Sequence, residues 1–184
     1  DWQTPIAEGN MRVALRMIDH SRPAGQQACA AKHIKERQFA NNDQYYVDVE
    51  MQEACRAISR AFNSRDPPKP IAFLEAWVVK RREPGLPPHL KVLAVEPYMD
   101  PTHYIKHNNN FGFVLPDARN TPQAFTHFSW EHTQHRLMIV DLQGVGNVFT
   151  DPQIHTRDGK GFGTGNCGLA GIERFLTSHQ CNAV

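Results

Sequence analysis

The stretch DLQGVGNVFTDPQIHT, residues 141–156, decides how the chain is interpreted. It follows HRLMIV, residues 135–140, whose apolar run is typical of a buried strand. Turn formation explains its glycines and its proline, but not why two aspartates and a glutamine follow so apolar a strand. Asp141 and Gln143 project to one side if the strand period of two continues, and Asp151 lies beyond them. One carboxylate near a hydroxyl, one amide and one carboxylate for Mg²⁺ would meet most needs of phosphoryl transfer.

Composition bounds the class of protein. The 184 residues suffice for one domain with a proper core. Lys and Arg total 20 against 19 Asp and Glu, for a formal net charge of +1, which predicts neither a nucleic-acid partner nor an anionic membrane surface. No apolar run is long enough to span a bilayer, and the first ten residues lack the pattern of a secretory signal. Four cysteines without a CxxC pair indicate reduced thiols and a cytoplasmic location.

The order of elements indicates an α+β fold of two lobes with a cleft between them. Strand patterns open the chain, and a helix pattern over residues 46–63 ends at the proline-rich SRDPPKP. IAFLEAWVV and KVLAVEPYM then predict two strands. The second half is mixed and richer in helix. The predicted boundary places about 1–97 in an N-terminal lobe and about 98–184 in a C-terminal lobe.

Charged residues of the first half have ordinary interpretations as well as functional ones. Lys32 lies in an apolar strand, where a lysine usually extends its ammonium to solvent; with Glu50 of the following helix as its partner it would instead face nucleotide phosphates. Arg12 follows a loop with one glycine and is as readily a solvent-exposed side chain as a phosphate contact. Glu96 ends a strand, where exposure to water is the simpler interpretation and contact with an adenine edge the alternative.

Histidines offer a competing function. The segment HFSWEHTQH carries three of them, but the HExxH motif is absent, which argues against a metalloprotease. Near the end, His179 and Cys181 form a short pair of soft ligands suited to zinc. Such a pair alone is weak evidence, because either residue more often packs than ligates.

Taken together, five segments resemble the alpha-kinases, the atypical protein kinases that include myosin heavy chain kinases and elongation-factor-2 kinase. These segments are NNNFGFV, TPQAFTHFSWE, IVDLQGVGNVFTDPQIHT, GFGTGNCG and FLTSHQCNAV. The likeness runs from AEGNMR to the last residue, and the intact TDPQIHT places the chain near the branch of the two kinases just named. It implies a two-lobed, atypical protein-kinase-like fold with a zinc-stabilised C-terminal lobe.

The resemblance also implies a function, namely transfer of the γ-phosphate of ATP to a threonine or serine of a protein substrate, such as myosin heavy chain or a translation factor. Asp141 would be the catalytic aspartate, while Gln143 and Asp151 would hold Mg²⁺. Lys32, held by Glu50, and Arg12 would bind the phosphates. The other residues implied at the nucleotide are Glu96 and Met99 at the adenine, Lys106 and Asn110 along the site, and Thr150 near the phosphates. The glycine-rich GFGTGNCG would face the peptide substrate.

His127, His179 and Cys181 match three ligands of a structural zinc in that family. The fourth would be a cysteine four residues after Cys181, and the chain departs from the pattern there because it ends at Val184.

Two other classes of function remain open. A catalytically inactive kinase fold would bind nucleotide or a partner without turnover, although every family position named above is filled. A zinc hydrolase built on the histidines would be indifferent to ATP and would lose all activity to chelators.

Overall fold

The computed structural model describes residues 4–115 and 120–184. Among them lie eleven strands and three α-helices. The strands of the first half are β1 (Pro5–Glu8), β2 (Arg12–Ile18), β3 (Ala28–Ile34), β4 (Ala72–Phe73), β5 (Trp77–Lys80) and β6 (Val92–Pro97). Those of the second half are β7 (Tyr104–Lys106), β8 (Leu137–Val140), β9 (Gln143–Val145), β10 (Val148–Thr150) and β11 (Gln153–Thr156). The helices are α1 (Asp43–Asn63), α2 (Asn120–His132) and α3 (Gly168–Ser178), with short 3₁₀ turns at Glu36–Gln38, Pro88–Leu90 and Pro101–His103. This content confirms the predicted α+β class.

The chain forms two compact units, divided inside α1 between Val49 and Glu50. The first unit holds the residues up to Val49 together with Glu75–Met99; the second holds Glu50–Leu74 and Asp100–Val184. The prediction had placed everything before residue 98 in one lobe. The structure differs because apolar side chains of Glu50–Leu74 complete the core of the second unit, and β4 pairs in parallel with β10.

A twisted antiparallel sheet makes up the first unit. Its described strands run in the order β1-β2-β3-β6-β5, with Lys32 of β3 opposite Ala94 of β6. Successive side chains of a strand point to opposite faces. One face packs Cys29, Ala31, Leu93 and Val95, while the other packs Ile34, Tyr45, Val92 and Ala94. Lys32 therefore shares its face with Ile34 and Ala94, beneath the first turns of α1.

The second unit packs α1 and α2 on short strands. Its main core joins residues of α1 and β4 with Phe125 of α2, with Ile139 of β8 and with three residues of segment 141–156. The members of this core are Met51, Cys55, Phe62, Ile71, Phe73, Phe125, Ile139, Leu142, Phe149 and Ile154. The described strands form two sheets, ordered β4-β10-β9-β7 and β11-β8. The predicted strand IAFLEAWVV is two strands, because β4 joins this unit while β5 joins the other.

All four cysteines are free thiols, as the sequence predicted, with Cys29 and Cys55 fully buried. Within residues 4–115 and 120–184, no helix combines the length and the hydrophobicity that crossing a bilayer requires.

Candidate active site

The segment that opened the sequence analysis folds as a β-hairpin. β9 and β10 pair with Val145 opposite Val148, so Gly146 and Asn147 form a two-residue turn. A Cβ on Gly144 would lie 2.1 Å from the carbonyl oxygen of Val148, so only glycine fits where the two backbones meet. The glycines thus serve the hairpin, as turn chemistry predicted, while the polar residues gather at its open end.

Asp141 and Asp151 flank this open end, and both adopt left-handed backbone conformations. Their φ angles are +59° and +49°, a region that aspartate tolerates better than most L-residues. Gln143 lies opposite Thr150, and its Nε2 donates to the carbonyl oxygen of Asp151 at 3.2 Å. The structure therefore brings together Asp141, Gln143 and Asp151, as the sequence predicted.

Lys106 is the cation at this end of the hairpin. It lies opposite Gln143 in the β7–β9 pairing, and its Nζ is 2.5 Å from Oδ1 of Asp141. Burial raises the pKa of the Asp141 carboxyl above its usual range, the Lys106 ammonium opposes that rise, and the charge of Asp151 adds to it. Lys106 thus contacts the proposed catalytic carboxylate directly, a contact that spacing alone did not predict.

Gln52 is a site residue that the sequence analysis missed. It is buried on α1, where its Oε1 accepts from the backbone N–H of Asp151 at 3.1 Å and from Oγ1 of Thr150 at 3.4 Å. Its Nε2 donates to the carbonyl oxygen of Leu74 at 3.0 Å. The only sequence signal was a polar residue next to the apolar positions of a helix. Gln52 ties the left-handed backbone at Asp151 to α1.

Lys32 has a different carboxylate partner from the one predicted. Its Nζ lies 2.6 Å from Oε1 of Glu96, and both side chains are about nine-tenths buried. Because Ala94 lies opposite Lys32 and Glu96 comes two residues later, both charges share one face of the sheet. Glu50, the predicted partner, is exposed on α1. We therefore assign the carboxylate that holds Lys32 to Glu96, whose carboxylate had been predicted to contact adenine.

Arg12, predicted to bind phosphate, starts β2 and forms an ion pair with Asp48 of α1 within the same unit. Met99, predicted near the adenine, is half-buried at the end of this unit. The nucleotide contacts predicted for these two residues stay predictions.

Asn110 contacts the glycine-rich loop of residues 161–168. Its Nδ2 donates to the carbonyl oxygen of Gly165 at 3.3 Å, and its own carbonyl oxygen accepts from Nε2 of His155 at 3.1 Å. His155 Nδ1 accepts from the N–H of Cys167 at 3.0 Å. This pattern requires a neutral ring, and burial lowers the pKa of His155 accordingly. Asn110 and His155 therefore fix the loop, whereas the predicted contact of Asn110 with nucleotide stays a prediction.

The three predicted zinc ligands converge within the second unit. Nδ1 of His127 lies 3.1 Å from Nε2 of His179 and 3.7 Å from Sγ of Cys181, and the three ligand atoms all lie within 4.8 Å of one another. Zinc with ligands at 2.0–2.3 Å in tetrahedral geometry separates them by about 3.3–3.6 Å. The residues present fit such an ion.

The chain is similar to known proteins over nearly its whole length. The model of the alpha-kinase family matches residues 7–184. Myosin heavy chain kinase C of Dictyostelium discoideum is 45% identical over 182 residues, which are 99% of this chain and 23% of that protein. Human eukaryotic elongation factor 2 kinase is 37% identical over 186 residues, covering 98% of this chain and 25% of that protein. The chain thus spans about a quarter of the length of these two relatives.

Solved structures extend the likeness to three dimensions. The alpha-kinase domain of myosin heavy chain kinase A in complex with AMP superposes with a TM-score of 0.88 at 38% identity, covering 99% of this chain and 86% of that one. The AMP-PNP complex of the same domain gives 0.88 and 38%, with 99% and 84% covered.

Proposed function

The chain belongs to the alpha-kinase family, and from this premise we propose that it is an ATP- and Mg²⁺-dependent kinase that phosphorylates threonine or serine in a protein substrate. The observation that carries the proposal is the convergence of Asp141, Gln143, Asp151 and Lys106 at the open end of one hairpin. The relatives are named for myosin heavy chain and elongation factor 2, which supports a protein substrate of that kind and a cytoplasmic location.

Asp141 would accept the proton of the substrate hydroxyl as that oxygen attacks the γ-phosphorus of ATP; the bond from this phosphorus to the β,γ-bridging oxygen would break, and ADP would leave. Phosphoryl transfer needs little covalent help from the protein, so placing the hydroxyl and balancing charge are the main tasks. Lys106 supplies a positive charge next to Asp141. In the first unit, Lys32, held by Glu96, and Arg12 would bind the phosphates.

The oxygen donors at the hairpin suit Mg²⁺, which prefers carboxylate and amide oxygens. Gln143 and Asp151 would hold the ion. With its Nε2 engaged by the carbonyl oxygen of Asp151, Gln143 presents its amide oxygen as the remaining ligand atom, and Thr150 lies buried beside it. When bound, Mg²⁺ would neutralise charge that develops on the phosphates.

Phosphate transfer tests the proposal directly. Incubation with γ-labelled ATP, Mg²⁺ and threonine-containing peptides should yield labelled phosphothreonine, and matched peptides with valine in place of threonine should stay unlabelled. An inactive kinase fold would bind ATP without labelling any peptide or itself. A zinc hydrolase would show no dependence on ATP. Either result would overturn the proposed function.

Asp151→Ala probes the metal role separately. Loss of one carboxylate ligand should raise the Mg²⁺ concentration needed for half-maximal activity by about tenfold or more, by analogy with the effects of ligand-shell changes at other metal sites. The measurement is a Mg²⁺ titration of the initial rate at saturating ATP. Superimposable titrations for variant and parent would rule out the metal role.

We further propose that His127, His179 and Cys181 hold a structural zinc that stabilises the second unit. Purified protein should contain about one zinc per chain by elemental analysis. Cys181→Ser should lose the zinc and lower the melting temperature, because metal binding is coupled to folding. His103→Ala is the matched control: it changes an exposed histidine of the second unit that does not belong to the cluster. Zinc-free protein with an unchanged melting temperature would contradict the assignment.

A further inference from the structure

Asn108 connects the proposed catalytic segment to α2. The side chain is fully buried, and its Oδ1 accepts from the backbone N–H of Leu142 at 2.9 Å. Its Nδ2 donates to Oε1 of Gln123 at 3.0 Å and to Oγ1 of Thr126 at 3.1 Å. The amide is therefore held from both ends: its Nδ2 donates to two acceptors on the helix, and its Oδ1 accepts from the segment.

Leu142 is the residue between Asp141 and Gln143, and both of its backbone groups are bound by neighbouring residues of one segment. Its N–H donates to Asn108, and its carbonyl oxygen accepts from the N–H of His107 at 2.8 Å. Asp141 itself has the left-handed φ of +59°. Such a conformation persists where surrounding contacts over-determine it. The two hydrogen bonds fix the backbone on which both polar side chains are carried.

The residues of α2 that bind the Asn108 amide, Gln123 and Thr126, are also buried. Gln123 and Thr126 lie three residues apart on α2, on one face of the helix. Gln123 uses its Oε1 for Asn108 and donates through Nε2 to the carbonyl oxygen of His107 at 3.2 Å. The consecutive residues His107 and Asn108 are thereby both anchored to α2.

We infer that Asn108 is a positioning residue for the reaction: it holds Asp141 and Gln143 in register with the substrate without touching the substrate itself. The inference rests on the proposed kinase function and deepens it. The sequence analysis predicted a nucleotide contact for Asn110 of the same KHNNN segment, which stays a prediction. The buried contact with the proposed catalytic segment belongs to Asn108.

Asn108→Ala removes the acceptor for the Leu142 N–H. We expect kcat to fall by about 10- to 100-fold, as misplacement of a reacting group by about 1 Å does elsewhere, with the KM for ATP changed less than about threefold. A role confined to stability would lower the fraction of folded protein and leave kcat per folded molecule unchanged. Initial rates are therefore divided by the active fraction, taken from ATP-binding stoichiometry in calorimetry.

Ser129→Ala is the matched control. Ser129 is also fully buried on α2, and its Oγ accepts from the backbone N–H of Ile139 at 2.8 Å. The control thus removes an acceptor of the same strand-to-helix kind, three residues before Leu142. It should lower the melting temperature as Asn108→Ala does while keeping kcat within twofold of the parent. Equal kcat losses in the two variants would overturn the inference.

Thr126→Val serves if Asn108→Ala does not fold. It preserves shape and removes one of the two acceptors that hold the Asn108 amide. We expect a kcat loss of about threefold with the KM for ATP unchanged; an unchanged kcat would contradict the inference.

Failure of the kinase proposal can be distinguished from failure of the positioning proposal. A parent protein without turnover would defeat the kinase assignment, whereas an active parent with a fully active Asn108→Ala would defeat only the positioning role.

Discussion

Replacing Asp141 by asparagine should lower kcat by about 10²- to 10⁴-fold, the range typical for loss of a group that handles a proton in the transition state. The amide has nearly the same shape but cannot accept the proton of the substrate hydroxyl. Asparagine also adopts left-handed backbone conformations readily, so the φ of +59° at this position is preserved. The expected defect is therefore chemical, with the fold intact.

The stability of this variant is the internal check. Asp141 loses its ion pair with Lys106, whose side chain is 46% exposed, and such partly exposed pairs contribute little to folding. The melting temperature should stay close to that of the parent. Asp158→Asn is the control: this exposed aspartate accepts from the N–H of Lys160 in a loop outside the hairpin, and its kcat should not change. A kcat for Asp141→Asn within tenfold of the parent, or a defect confined to KM, would remove Asp141 from its role.

The sequence predicted the local geometry of segment 141–156 well, because the residues that determine it are close together in the chain. Glycines at a two-residue turn and polar residues after an apolar strand are encoded within sixteen consecutive positions, 141–156. The hairpin then brings Gln143 opposite Thr150 with no help from distant residues. The placement of Asp141 and Asp151 at one end of a hairpin follows from that pairing.

Contacts that depend on the register between strands far apart in the sequence could not be predicted from local sequence. Chain order favours Glu50 as the partner of Lys32, but the ion pair forms with Glu96, because β3 and β6 pair with Lys32 opposite Ala94. A shift of one residue in that pairing would have sent Glu96 to the opposite face. Periodicity within one strand carries no information about such a register.

Buried amides were missed for a related reason. Asn108 accepts from the N–H of Leu142, the residue after the left-handed Asp141, and Gln52 accepts from the N–H of the left-handed Asp151 itself. In sequence they are ordinary polar residues of a turn and a helix. Buried backbone N–H groups need hydrogen-bond acceptors. Which N–H groups are buried without a backbone acceptor depends on how the strands pack, so the side chains that bind them cannot be identified from the sequence. The lobe boundary was misplaced by the same kind of long-range packing.

Glu96→Ala should lower the free energy of unfolding by about 3–5 kcal/mol, as loss of one member of a buried ion pair does elsewhere. The Lys32 ammonium would lose a carboxylate 2.6 Å away in a site where both side chains are about nine-tenths buried. Glu8→Ala is the matched control, since Glu8 forms a 2.6 Å pair with Lys35, just beyond the same strand, but is 60% exposed. It should cost a small fraction of that loss, measured by urea unfolding.

A double replacement separates the contribution of this ion pair to stability from the proposed role of Lys32 in binding ATP. Lys32→Met combined with Glu96→Leu exchanges both charges for apolar groups of similar size, a change that is often neutral or stabilising in buried sites. Stability should return to near the parent value, because no buried charge is left to solvate. Phosphate transfer should be lost, because no ammonium remains to bind the nucleotide phosphates. If the double variant is as unstable as Glu96→Ala, packing rather than charge explains the loss of stability; if it keeps the turnover of the parent, Lys32 does not bind ATP.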